Sequence, residues 1–160
     1  MKIYSYSTML RENGTPYLVE NRAYNVDGRF RYDTPDKIAD FAVNGLAMHR
    51  CAEEYVYVIC LDNANHVVGC FEVSHGTANI SLINPREVFQ KALLIGACRI
   101  ALVHNHPSGN VTPSQEDIEV TRRVKEAGEI LGIDLIDHLV VGRFGEYVSF
   151  RSAGFVWERE

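Results

Sequence analysis

The sequence predicts a single α/β domain, a mixed sheet flanked by helices. Three observations carry this expectation. Apolar, β-rich runs of strand length stand at 55–61, 67–73 and 99–103, and helical-period apolar patterns open beside Pro35, Pro85 and Pro113. The third is the composition: 46% hydrophobic and 23% charged side chains in 160 residues give apolar material for one core and leave no case for a disordered chain.

Residues 1–33 are rich in Tyr, Arg and Asn, with Thr15-Pro16 and Asp27-Gly28 as turn signals, and read as an N-terminal arm or short strands preceding a domain over 34–160. Thr34 is an N-cap candidate before Pro35. Ile38, Phe41, Ala42 and Leu46 then recur at helical spacing, which predicts a helix over 35–49. The run Tyr55–Leu61, the turn chemistry of Asp62-Asn63-Ala64-Asn65 and the run Val67–Val73 predict a hairpin. Asn84-Pro85-Arg86-Glu87 opens a second helix over 85–95, closed by Gly96.

Arg99–Val103 reads as a buried strand that delivers the chain into a loop beginning at His104-Asn105-His106-Pro107. Thr112-Pro113-Ser114-Gln115 repeats the helix-start chemistry, and Val120, Val124, Ala127 and Leu131 carry a third helix over 114–131 to a stop at Gly132. The segments 133–141 and 147–150 read as closing strands.

With 16 Lys and Arg against 21 Asp and Glu, the net charge of -5 repels phosphate backbones and disfavours a stand-alone nucleic-acid binder. Arg122, Arg123 and Lys125 share their segment with Glu116, Glu119, Glu126 and Glu129, so pairing within the helix accounts for them. The N-terminus lacks a secretory pattern and no run approaches the roughly 18 apolar residues of a membrane span, so a cytoplasmic protein is expected. Cys51, Cys60, Cys70 and Cys98 show no C-x-x-C pairing and read as reduced core thiols, with Cys60 and Cys70 facing each other across the hairpin.

The informative constellation is His104-x-His106, seven residues, then Ser114-x-x-Asp117. Alternate side chains of an extended backbone share a face, so the two imidazoles can address one point while Asn105 turns away. Ser114 and Asp117 are neighbours on one helical face, and a tight loop folds that face over the histidines, making Asp117 a third ligand. Two imidazoles and one carboxylate around Zn2+ leave a fourth tetrahedral position for water, the pattern of a catalytic site. A nearby glutamate is then needed to take the proton of that water.

Glu53 before an apolar strand, then His104-Asn105-His106-Pro107, Ser114 and Asp117, resemble the JAMM metal motif of the JAB/MPN superfamily of metalloproteases and isopeptidases. Pro85-Arg86-Glu87-Val88, His104–Gly109, Pro113–Asp117 and Asp137–Gly142 resemble the RadC branch, over about residues 50–153. Asn105 stands where the wider motif has Ser or Thr, in agreement with that branch. The resemblance implies an MPN (JAB, cytidine-deaminase-like) fold, with His104, His106 and Asp117 as zinc ligands and Ser114 as donor to the oxyanion. It implies a general base at the opening of the strand before the hairpin. Glu53 is chosen by its offset from Tyr55, with Glu54 as the alternative and Glu72 a distant third.

The function expected on this basis is zinc-dependent hydrolysis of a peptide or isopeptide bond in a protein or peptide substrate. A DNA-repair-associated binding module and a metal-dependent nuclease are the alternatives. His138 beside Asp137 reads equally as a core histidine or as a group that orients a ligand. His49, His66 and His75 lack partners at ligand spacing.

Overall fold

A computed structural model describes residues 1–28, 30–76 and 83–157. Seven strands form one mixed sheet: β1 (Lys2–Leu10), β2 (Pro16–Asn25), β3 (Glu54–Leu61), β4 (Val67–Gly76), β5 (Arg99–Asn105), β6 (Asp134–Val141) and β7 (Tyr147–Ser149), in the order β2-β1-β4-β3-β5-β6-β7. The helices are α1 (Pro35–Asp40), α2 (Pro85–Leu94), α3 (Gln115–Leu131) and the short α4 (Phe150–Ala153).

Side-chain alternation sorts the central strands onto two faces. Val56, Val58, Cys60, Ile100 and Leu102 pack against Val88 and Phe89 of α2 and Val120 and Val124 of α3. Ile59, Leu61, Ala101 and Val103 pack on the other side against Ile38, Phe41 and Ala42. The β3–β5 ladder is antiparallel and pairs Val56 with His104, Val58 with Leu102 and Cys60 with Ile100. β5 and β6 run parallel, and α3 is their crossover.

The first 25 residues form a long antiparallel hairpin that meets β4 at the Ser5–Cys70 pair, which extends the sheet beyond the arm or short strands that composition suggests. The helix expected over 35–49 is broken. After α1 the chain widens into a π turn over Phe41–Gly45 and then a 3-10 turn over Met48–Arg50. A side chain at Gly45 would lie 2.6 Å from the Phe41 ring, and Ala47 in the left-handed region (φ 56°) ends the helical path. β5 also runs two residues further than its apolar run, so both His104 and Asn105 belong to the strand rather than to the loop. At the other end Phe150 opens α4 instead of completing β7.

Cys60 and Cys70 do not face each other: the register sets Cys70 opposite Ile59 and Cys60 opposite Gly69, and the two thiols lie in different cores on opposite faces of the sheet. Cys51 is half-buried and Cys98 is exposed, so core burial holds for only two of the four. Among the described residues, no helix is long and apolar enough to cross a membrane.

Candidate metal centre

The site lies where β5 ends and α3 begins. His104, at the end of β5, is fully buried, and the chain continues to His106, whose N–H donates to the Val141 carbonyl at the end of the neighbouring parallel strand. Ser114 is the N-cap of α3. Its hydroxyl oxygen accepts from Asp117 N–H at 3.1 Å, while the Asp117 carboxylate accepts from Ser114 N–H at 2.7 Å. This reciprocal capping box satisfies two helix-end donors and fixes the carboxylate. Helix α3 stops at Gly132, whose φ of 70° is left-handed.

Ligand atoms of Glu54, His104, His106 and Asp117 all lie within 4.8 Å of one another. The Nε2 atoms of His104 and His106 are 3.0 Å apart, and Asp117 oxygens stand 3.5 Å from His104 Nε2 and 3.8 Å from His106 Nε2. Ligand atoms about 2.0–2.1 Å from one tetrahedral Zn2+ would be roughly 3.3 Å from each other, so these spacings suit a shared ion. The chemistry of the set agrees. His106 Nδ1 is 2.6 Å from the Asn110 carbonyl, which can only accept, so in a neutral ring the proton sits on Nδ1 and Nε2 offers a lone pair to the cluster. Imidazole lone pairs and carboxylate oxygens that converge on one point call for a cation. Burial pushes the Asp117 carboxyl up, but positive charge placed beside it at the His104 ring and the hydrogen bond from Ser114 N–H outweigh burial and hold the group well below the usual carboxylate range.

Of the two adjacent glutamates, the structure brings Glu54 to the cluster and leaves Glu53 exposed outside it. Parity is the reason. Val56 pairs with His104, so Glu54, two residues away, shares the face of His104 and His106, whereas Glu53 falls on the opposite parity. Glu72 is also outside the cluster; it bonds the exposed His75. Asn105 holds the start of β3. Its side-chain oxygen accepts from Tyr55 N–H at 2.8 Å and its amide donates to the Glu53 carbonyl at 3.0 Å, so the backbone on both sides of Glu54 is tied to the strand that carries the histidines.

Behind the cluster His138 of β6 is fully buried, stacked on Phe150 with ring centroids 4.5 Å apart, and its Nε2 lies 2.8 Å from His104 Nδ1. Burial first, and the nearby His104 second, hold His138 well below the ordinary imidazole range, so the ring is neutral at pH 7. Sequence alone offered no signal for the Asn105 clamp or the Asn110 carbonyl. Thr121, beside His138, could have been found from its position one helical turn after Asp117.

The RadC-like JAB domain family model matches residues 32–155, from just before α1 to just past α4. The chain belongs to that family. A UPF0758 protein of Pelobacter propionicus is 44% identical over 133 residues, covering 83% of this chain and 56% of that protein. A UPF0758 protein of Thermotoga maritima is 52% identical over 101 residues, 63% of this chain and 45% of that one. One from Clostridium botulinum is 40% identical over 132 residues, 82% of this chain and 56% of the relative. The RadC-family chain thus spans about half the length of the curated relatives it matches. The mixed sheet flanked by helices is the fold expected of a JAB/MPN domain, and the four-residue cluster is a possible metal-binding site within it.

Proposed function

We propose that this RadC-family domain is a zinc-dependent hydrolase that cleaves a peptide or isopeptide bond in a peptide or protein substrate. The observation that carries the reading is the convergence of Glu54 on His104, His106 and Asp117 within 4.8 Å. His104, His106 and Asp117 would hold the ion, matching the two-imidazole, one-carboxylate set of catalytic zinc sites. Zinc, when bound, supplies Lewis acidity that acidifies water towards neutrality and polarises a carbonyl.

The chain's own groups supply the rest. Glu54, half-buried at the strand opening, takes a proton from the attacking water and returns it to the leaving amine. The Ser114 oxygen already accepts from Asp117 N–H, which leaves the hydroxyl hydrogen to donate to the substrate oxygen as charge develops there. Ser114 is exposed, so a substrate can reach it. The acidic balance of the chain favours a protein over a nucleic-acid substrate.

The test is incubation of zinc-loaded protein with a library of linear and isopeptide-linked peptides, with new amines read by mass spectrometry. Cleavage that Glu54→Gln loses is expected. A library left intact, or cut equally by the variant, would contradict the proposal.

A further inference from the structure

We propose that His138 and Thr121 are positioning residues that fix which nitrogen of His104 carries its proton. The hydrogen bonds form one buried chain that can be read from its fixed end. Thr121 Oγ1 donates to the Asp117 carbonyl at 2.5 Å, and a carbonyl oxygen has no proton to give, so the single hydroxyl hydrogen is committed there. Thr121 Oγ1 is also 2.5 Å from His138 Nδ1 and can therefore only accept from it. His138 thus carries its proton on Nδ1. Its Nε2 is a lone pair, 2.8 Å from His104 Nδ1, and that contact is a hydrogen bond only if His104 also carries its proton on Nδ1. A neutral His104 then turns an unprotonated Nε2 towards His106 Nε2 and Asp117.

A neutral histidine in water prefers the opposite form, with the proton on Nε2, so the placement is imposed on both rings by the Thr121 hydroxyl. All three side chains have no solvent exposure, which leaves no water to substitute for a missing partner. Phe150 stacked on His138 holds that ring in the plane the chain requires. The chain also ties the backbone of Asp117 on α3 to the ring of His104 on β5, so two elements that contribute to the cluster are set relative to each other.

The proton placement is independent of the zinc reading; only its consequence for affinity rests on it. The test is the long-range 1H–15N spectrum of 15N-histidine-labelled, chelator-treated protein at pH 8, with Thr121→Ser and Thr121→Val alongside. The wild type and Thr121→Ser are expected to show His104 and His138 as Nδ1–H forms. In Thr121→Val both shift towards Nε2–H, and Zn2+ added alone binds about 10–100-fold more weakly. An Nε2–H form of either ring in the wild type overturns the proposal, and so does a Thr121→Val protein with unchanged spectra and unchanged Zn2+ affinity. Wild-type protein that shows the stated forms but takes up no Zn2+ supports the proton placement and refutes the metal reading. Should Thr121→Val fail to fold, the wild-type and Thr121→Ser spectra decide the matter.

Discussion

A carboxylate oxygen of Glu54 and a ring nitrogen of His106 lie within 4.8 Å, although one residue opens β3 and the other follows the end of β5. The β3–β5 register, anchored at Val56 and His104, makes this a consequence of strand parity. Glu54→Gln is expected to lower turnover by about 10²–10⁴-fold with zinc content unchanged, as loss of a general base does. Glu53→Gln is expected to leave the rate at the wild-type value. Initial rates on a cleaved peptide, with metal content measured on the same samples, check both.

Asn105 stitches β5 to the backbone on either side of Glu54. Asn105→Ala leaves the Tyr55 N–H and the Glu53 carbonyl without these partners and is expected to cost about 1–3 kcal/mol of stability. Urea unfolding measures the loss. Amide exchange should localise it, with Tyr55 N–H exchanging faster than the amides of β6.

Ser114 combines an N-cap with a proposed oxyanion donor, and two substitutions separate these roles. Ser114→Ala is expected to lose about 0.5–2 kcal/mol, whereas Ser114→Gly loses only a few tenths because glycine is tolerated at the cap. Both remove the hydroxyl, so both should lower turnover by about 10²–10³-fold. Thermal melts alongside rate measurements would show stability and turnover parting in the glycine variant.

Asp137 is buried and accepts from His138 N–H, Arg151 N–H and the Ser149 hydroxyl, yet burial raises its carboxyl above the ordinary range despite those bonds. A native pKa above the unfolded value of about 3.9 means that the native state holds the proton longer as pH rises. The contribution to stability is full below about pH 4 and is lost as pH climbs through the native value. Asp137→Asn removes the titration while an amide can still meet the same three groups. Urea midpoints compared from pH 4 to 7 should move against the wild type relative to Asp137→Asn; parallel curves would contradict this.

Much of the fold was legible in the sequence because the apolar periods of β3, β4, α2 and α3 agree with their turn residues, from Asp62 and Asn65 to Asn84 and Gly132. The helix after Thr34 is shorter than its apolar spacing predicts because Phe41 and Leu46 keep a helical period through a π turn, and periodicity alone does not register the wider turn. The strand end at His104 and Asn105 was hidden because polar residues ended the apolar run before the pairing ended. Which of two neighbouring glutamates enters the cluster depends on a register that only the paired strands define. The proton placement behind His104 depends on contacts between α3 and β6, residues far apart in the chain.

Calorimetric titration of Zn2+ into chelator-treated protein tests the central claim most directly. The account predicts one ion per chain for the wild type and loss of that binding in His106→Ala and Asp117→Asn. No uptake by a folded wild-type protein, or equal uptake by the variants, would contradict it.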